Sequence, residues 1–141
     1  MKITIGSDHR GYDLKAAIIA NFGHYQWLDV GTDSKERTDY PIFAKKVCEN
    51  ILDKTAEFGI LICGTGIGMS VAANRFRGIY AALCWNEPIA RLARSDDMAN
   101  VLVIPSAFVS DELAFAIIKA WLYTEFKGGT YQKRLELIDE K

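Results

Sequence analysis

Residues 59–68 read Gly59-Ile60-Leu61-Ile62-Cys63-Gly64-Thr65-Gly66-Ile67-Gly68, an apolar run that passes directly into a glycine-rich loop. The apolar part, residues 59–63, does not alternate with polar residues, which is typical of a central strand covered by helices on both faces. We expect the glycine-rich part to follow the end of this strand and to lead into a helix.

Short apolar runs and helical patterns continue to alternate in both directions along the chain. Four more runs are predicted to be strands, at residues 2–6, 26–31, 79–84 and 101–104. Between them, apolar residues recur at helical spacing, for example at Leu14, Ile18 and Phe22. Such alternation predicts a parallel sheet with right-handed crossovers. The sequence therefore predicts an α/β fold, a five-stranded parallel sheet with helices on both faces, in one domain spanning residues 1–141.

One helical segment, residues 114–122, is apolar on nearly every side. A helix of that kind is buried either in a core or against a second subunit. Because a chain of 141 residues has a small core, we expect the helix around Phe115, Ile118 and Trp121 to pack against a second copy of the chain.

Composition excludes several classes of partner. Hydrophobic residues make up 50% of the chain and charged residues 25%, as in an ordinary soluble domain. A formal net charge of -1 gives no field that would attract nucleic acid or an anionic membrane. The N-terminal apolar run is broken by Asp8, unlike a signal peptide. The three cysteines are widely spaced and typical of reduced thiols, so we expect a cytoplasmic protein with no nucleic-acid or membrane partner.

Polar residues follow two of the predicted strands. Asp8, His9 and Arg10 come directly after the first strand, and the segment from Cys63 to Ser70 follows the third. In a parallel sheet, ligands bind where the strands end, at their carboxyl edges. A histidine between two charged residues at such an edge is poorly placed for packing, so we interpret His9 as functional, the alternative being a surface histidine without a role.

The glycine-rich loop does not match three familiar motifs. A P-loop would have lysine followed by serine or threonine after its last glycine, and a dinucleotide fingerprint would have glycine where Met69 stands. A cysteine-based phosphatase would have arginine six residues after Cys63, which is again Met69. A cradle of backbone N–H groups at a helix N-terminus remains, suited to an anion or a developing oxyanion.

Cys63 stands at the start of this cradle. A thiolate is favoured near a helix N-terminus, where it can act as a base or a nucleophile. The alternative is a buried cysteine that ends a core strand, a common environment for free cysteine. The glycines that follow favour the functional interpretation.

Several segments together resemble the type B ribose-5-phosphate isomerases, the family that also contains the galactose-6-phosphate isomerase subunits. The similarity extends from Lys2 to about Ile138 and is carried by Gly6-Ser7-Asp8-His9-Arg10-Gly11-Tyr12, Arg37-Thr38-Asp39-Tyr40-Pro41, Ile62-Cys63-Gly64-Thr65-Gly66-Ile67-Gly68-Met69-Ser70, Ala72-Ala73-Asn74-Arg75, Ala99-Asn100-Val101-Leu102 and Gly128-Gly129. The resemblance implies a Rossmann-like fold and a homodimer with active sites shared between subunits. It also implies an isomerase that uses no metal or other cofactor and converts ribose 5-phosphate into ribulose 5-phosphate through a cis-enediolate.

The resemblance also implies roles for individual residues. Cys63 matches the base of the family, and Thr65 matches a residue that helps to move protons. The remaining substrate contacts are expected from the backbone amides of Gly64, Gly66 and Gly68 and from the side chains of Asp8, His9, Tyr40, Ser70, Asp97, Asn100 and Arg134.

The chain departs from the family pattern at three places. Asp96 stands where the family usually has the histidine that opens the sugar ring, so we expect Asp96 or Asp97 to take that role, the alternative being spontaneous ring opening. Ala107 and Thr130 stand where arginines usually bind phosphate through a charged fork. Another aldose phosphate as substrate, a requirement for a second type of subunit, and a weakened sugar-phosphate-binding protein therefore remain alternatives.

Overall fold

The computed structural model describes residues 1–140, in which strands and helices alternate as the sequence predicts. The elements in chain order are β1 (Lys2–Ser7), a short 3-10 turn (His9–Gly11), α1 (Tyr12–Asn21), β2 (Gln26–Asp29), α2 (Tyr40–Leu52), β3 (Phe58–Cys63), α3 (Ile67–Ala73), β4 (Ala81–Leu83), α4 (Glu87–Asp97), β5 (Val101–Pro105), α5 (Asp111–Leu122) and α6 (Thr130–Asp139).

The five strands form one sheet in the order β2-β1-β3-β5-β4, and every neighbouring pair is parallel. This confirms the predicted five-stranded parallel sheet. The fourth strand is shorter than predicted, because the Ile79 N–H donates to the Phe76 carbonyl in a turn and the Tyr80 N–H donates to the Asn100 side chain. Only Ala81–Leu83 is left to pair with β5.

Helices cover both faces of the sheet and create two apolar clusters. On one face, α1, α4 and α5 pack over Ile60 and Ile62 of the central strand. On the other face, α2 and α3 pack over Leu61 and Cys63 of the same strand. Because successive side chains of a strand point to opposite faces, a strand buried on both sides is apolar at every position. This explains why residues 59–63 do not alternate.

The expectation for the apolar helix is wrong: α5 is buried within its own chain. Ile117, Ile118 and Trp121 are each 0% exposed, inside the cluster formed with α1 and α4. The Trp121 ring packs against the Phe58 ring at 5.2 Å, and the Arg94 guanidinium covers both rings. With α1 and α4 flanking it, the helix is enclosed without a second subunit. No helix among residues 1–140 is both long and apolar enough to cross a membrane.

Candidate active site

The order of the strands creates a crevice between the carboxyl ends of β1 and β3. The chain leaves β1 through α1 toward β2 on one side, and it leaves β3 through α3 toward β4 on the other side. Since α1 and α3 also lie on opposite faces of the sheet, the two connections diverge at this point. Ligands of open α/β sheets bind at such switch points. The structure thus brings together the two segments that the sequence singled out, which begin at Asp8 and at Cys63.

The glycine loop presents unused backbone donors to this crevice. Gly66 has φ of 75°, a left-handed conformation that favours glycine, and it forms the N-cap of α3. Within the described residues, the N–H groups of Gly64, Gly66 and Gly68 donate to no backbone or side-chain acceptor. Thr65 Oγ1 accepts a hydrogen bond from the Ile67 N–H at 3.2 Å, which leaves the Thr65 hydroxyl proton free. The loop can therefore hold an anion or a developing oxyanion.

Cys63 differs from the other two cysteines in its surroundings rather than in its burial. It ends β3, is 5% exposed, and leads directly into the glycine loop. Burial raises the pKa of Cys48 and of Cys84 to about 12, so both thiols stay protonated at neutral pH. Both are 0% exposed within the two apolar clusters, as expected of structural cysteines.

Asp8 and His9 are oriented by backbone hydrogen bonds at the end of β1. Asp8 Oδ1 accepts hydrogen bonds from the N–H groups of Arg10 (2.9 Å) and Gly11 (3.2 Å), whereas Oδ2 accepts none from the residues described. His9 Nδ1 accepts from the Thr38 N–H at 3.2 Å. A neutral histidine with Nδ1 as acceptor carries its proton on Nε2. Asp8 thus keeps one carboxylate oxygen, and His9 one N–H donor, for a ligand.

Tyr40 packs against the start of α3, and Ser70 lies within this helix. The Tyr40 ring is so close to Gly68 that a Cβ added there would lie 2.7 Å from the ring carbon Cζ. Ser70 Oγ is buried and has no hydrogen-bond partner in the described chain. A buried hydroxyl without a partner is uncommon and calls for an explanation such as a ligand. Both predicted positions therefore belong to the same part of the molecule as the glycine loop.

Asp96 and Asp97 lie at the opposite edge of the sheet from the glycine loop. Their helix, α4, begins after the carboxyl end of β4 and ends before the amino end of β5, so it carries both acids back across the sheet. Asp96 there accepts a hydrogen bond from Ser95 Oγ at 2.9 Å and lies 3.3 Å from Lys127 Nζ, which raises the pKa of Lys127. Asp96 and Asp97 are therefore distant from the Cys63 loop of their own chain.

Asn100 also lies at that edge, where its side chain forms two hydrogen bonds within its own chain. Its Oδ1 accepts from the Tyr80 N–H at 2.9 Å, and its Nδ2 donates to the Gly78 carbonyl at 2.9 Å. These bonds fix the turn before β4. Arg134 lies on α6, where its guanidinium stacks on the Tyr131 ring at 5.2 Å. Because α6 packs beside α4, Arg134 is likewise separate from the glycine loop.

A groove of about 570 Å³ opens at this second edge, lined among others by Asn74, Arg75, Tyr80, Asp97, Leu135 and Asp139. The Tyr80 hydroxyl donates to the Asp139 carboxylate, and burial together with this bond raises the pKa of Tyr80 to about 12. No residue of the glycine loop lines the groove. The unused donors, rather than the concave volume, therefore identify the candidate site.

Arg10 and Ser106, which were not among the predicted site residues, also lie beside the glycine loop. The Arg10 guanidinium covers Gly64, and Ser106 Oγ lies 3.0 Å from the Arg10 carbonyl oxygen and 3.3 Å from that of Cys63. Arg10 follows β1 and Ser106 follows β5, so both are at carboxyl ends of central strands. That position was a signal available in the sequence.

The chain is similar to known proteins over almost its whole length. The sequence profile described as Ribose/Galactose Isomerase matches residues 3–138. Ribose-5-phosphate isomerase B of Escherichia coli (strain K12) is 44% identical over 139 residues, which cover 97% of this chain and 93% of the relative.

Solved structures are similar over almost the whole length. A ribose 5-phosphate isomerase from Thermotoga maritima superposes with a TM-score of 0.98 at 49% identity, covering 99% of this chain and 98% of that one. Ribose-5-phosphate isomerase B from Mycoplasma genitalium with bound ribulose 5-phosphate gives a TM-score of 0.93 at 39% identity, covering 98% and 93% of the two chains. Profile, identity and superposition agree, and the chain belongs to the ribose/galactose isomerase family.

Proposed function

We propose that this protein is an aldose–ketose isomerase that interconverts ribose 5-phosphate and ribulose 5-phosphate. The observation that carries the proposal is the set of unused N–H donors of the glycine loop directly beside Cys63, at the switch point of the sheet. The relatives named ribose-5-phosphate isomerase B, one of them with ribulose 5-phosphate bound, support the choice of substrate. A reaction on a metabolite of this kind, together with three free cysteines, supports a cytoplasmic location.

The chemistry needs a base beside a group of oxyanion donors. In the open-chain aldose, the Cys63 thiolate removes the proton from carbon 2, and the electron pair moves through the new carbon–carbon double bond onto the carbonyl oxygen. A proton then passes from the oxygen on carbon 2 to the oxygen on carbon 1, and Cys63 returns its proton to carbon 1. The amides of Gly64, Gly66 and Gly68 stabilise the enediolate. The free hydroxyl proton of Thr65 supports a part in the transfer between oxygens.

The residues at the end of β1 suit the sugar hydroxyls and the phosphate. Asp8 Oδ2 can accept from a hydroxyl, and the His9 Nε2–H can donate to a hydroxyl or a phosphate oxygen. Tyr40, which packs on Gly68, and Ser70, within α3, are further contacts that we assign to the substrate. These groups surround the crevice, so a five-carbon phosphate would lie along it.

We further propose that the active protein is a homodimer with shared sites. Asp96, Asp97 and Arg134 are separate from their own glycine loop, so they can serve catalysis only at a partner's site. Ile118 and Trp121 of α5 are already covered within their own chain. Large exposed apolar side chains lie elsewhere: Ile67 (60% exposed), Val71 (59%), Trp85 (53%) and Leu92 (48%). Ile67 and Val71 share one face of α3, next to the loop, which places an unpartnered apolar surface beside the site.

A turnover assay with two substrates tests the proposed function. The purified protein is expected to convert ribose 5-phosphate faster than galactose 6-phosphate, with ribulose 5-phosphate as the product identified by NMR. Faster conversion of galactose 6-phosphate would assign the chain to the other branch of its family. Binding of both sugars without turnover of either would contradict the isomerase and favour a sugar-phosphate-binding protein.

Asp96 is proposed to open the sugar ring at the partner's site, and Asp96→Asn tests this role. The change should lower kcat/KM for ribose 5-phosphate by about 10- to 100-fold, since asparagine cannot take the proton of the ring hydroxyl. It should leave kcat/KM for erythrose 4-phosphate almost unchanged. The carbon-4 oxygen of this aldose carries the phosphate, so the sugar cannot close a furanose ring. Equal losses of kcat/KM for the two aldoses would show that Asp96 does not open the ring and would favour spontaneous opening.

Co-expression of Asp96→Asn with Cys63→Ala extends the same test to the dimer. If the sites are shared, each mixed dimer keeps one intact site, and the random mixture should regain about a quarter of the wild-type activity. Sites complete within one chain would give no more activity than the two variants measured separately. Differently tagged chains allow the mixed dimers to be purified and assayed alone.

A further inference from the structure

The Arg10 side chain lies directly on the glycine loop. A Cβ added to Gly64 would lie 2.2 Å from Arg10 Cζ and 2.5 Å from its Nε and Nη1 atoms. These distances are far below any contact that a real side chain makes, so the guanidinium reaches this position only because residue 64 is glycine. Arg10 is therefore in contact with the same loop that carries Cys63 and the free amides.

The backbone of Arg10 is held on both sides, which fixes the start of the side chain. Its N–H donates to Asp8 Oδ1 at 2.9 Å, and its carbonyl oxygen lies 3.0 Å from Ser106 Oγ. Ala107, which follows Ser106 in the sequence, donates its N–H to the Gly64 carbonyl at 3.0 Å. The loops after β1, β3 and β5 thus meet around Arg10.

The charge of Arg10 is not used by the fold. Among residues 1–140, no carboxylate lies within ion-pair distance of its guanidinium, and the side chain donates no hydrogen bond. By comparison, Lys15 is paired with Asp29 at 2.7 Å, and the Arg94 guanidinium covers the rings of Phe58 and Trp121. An unpaired guanidinium beside a loop of free N–H donors is a site for an anion.

A sugar phosphate carries negative charge on its phosphate, and a second negative charge develops at the other end in the enediolate; the exposure of Arg10 favours the phosphate. Donors that stabilise an enediolate act where water is excluded, as the amides beside the buried Cys63 do. Arg10 is exposed, which suits the doubly charged phosphate end of a sugar phosphate. It also lies beside Ala107, where the resemblance leads one to expect a phosphate-binding arginine. We propose that Arg10 binds the substrate phosphate and supplies the positive charge that Ala107 lacks; this role rests on the proposed isomerase function.

Arg10→Gln tests the proposal, with Lys45→Ala as the control. The Arg10→Gln variant should raise both KM for ribose 5-phosphate and the inhibition constant of inorganic phosphate by about 10-fold or more, with kcat changed less than 3-fold. Arg10→Lys should be intermediate, since an ammonium keeps the charge but not the fork. Lys45 is exposed and already paired with Glu49, so its replacement should change neither constant.

A second variant makes the test specific. Adding Ala107→Arg to Arg10→Gln should recover most of the lost affinity for inorganic phosphate, because it returns a guanidinium to the adjoining loop. A fall in kcat with unchanged KM, or unchanged constants in Arg10→Gln, would overturn the proposal.

The proposed function can fail separately from this role. If the wild-type protein converts no sugar phosphate, calorimetric titration with inorganic phosphate still tests whether Arg10 binds phosphate. Weaker phosphate binding by Arg10→Gln than by Lys45→Ala supports the role of Arg10, and equal binding overturns it.

Discussion

The Cys63→Ala variant is expected to lose about 10²- to 10⁴-fold in kcat for the isomerisation while its fold is retained. The thiol is the only side chain that we assign as the base for the proton on carbon 2, and the amides of the loop cannot replace it. Alanine fits the space, since Cys63 is a small residue at the end of a buried strand. Initial rates at saturating ribose 5-phosphate, with circular dichroism as the check on folding, measure the effect.

Cys48→Ala is the matched control for this variant. Cys48 packs in the same apolar cluster as Cys63, but its pKa of about 12 keeps the thiol protonated, and it lies away from the loop. The control should therefore retain wild-type kcat. If Cys63→Ala also retained most of its kcat, another group would have to be the base, and Ser70, with its unpartnered hydroxyl, would be the next residue to replace.

Trp121→Ala should lower the free energy of unfolding by about 3–5 kcal/mol, a large part of the roughly 5–15 kcal/mol typical of a domain. Trp121 is fully buried, and its removal leaves a cavity between α5 and the sheet, bordered by Phe58 and Arg94. Arg94 would also lose one of its two aromatic partners, although it keeps the 2.7 Å hydrogen bond to the Ala99 carbonyl. Urea unfolding followed by circular dichroism measures the loss.

Phe108→Ala provides the comparison at the surface. Phe108 is 72% exposed, so removing its ring should change the free energy of unfolding by less than about 0.5 kcal/mol. A loss below about 1 kcal/mol for Trp121→Ala would contradict the burial of α5 within its own chain and would return this helix to the proposed dimer interface.

The alternation of apolar runs and helical patterns was enough to predict the sheet, because a strand buried on both faces must be apolar throughout. What covers the apolar helix α5 could not be predicted in the same way. Residues 114–122 are apolar around the whole helix, and periodicity does not say whether neighbouring helices or a second chain cover it. Here α1 and α4 flank α5. The length of the chain was therefore a poor guide to how much apolar surface its core could enclose.

The part of the candidate site that directly follows the ends of strands could be predicted from the sequence. Asp8, His9 and the loop after Cys63 are sequence neighbours of β1 and β3, and the parallel topology brings them together. The separation of Asp96 and Asn100 from the loop of their own chain could not be predicted from a match of residue types, which carries no information about sheet edges. The predicted alternation of strands and helices does contain this information, because a helix between parallel strands ends at the amino edge of the sheet. The contact between Arg10 and Gly64 depends on the conformation of the Arg10 side chain, which the spacing of residues in the sequence does not determine.

The loop after β5 is attached to the catalytic edge through main-chain atoms. The Ser106 N–H donates to the Cys63 carbonyl at 3.0 Å, and the Ala107 N–H donates to the Gly64 carbonyl at 3.0 Å. The side chain at position 107 takes no part in this attachment, so mutation there can introduce new residue types without displacing Cys63, the base that we propose. A lineage with such an arrangement can lose a charge at one position and gain it at a neighbouring one by small viable steps. The geometry of the reacting atoms is inherited with the backbone, while the choice of substrate remains open to drift and selection.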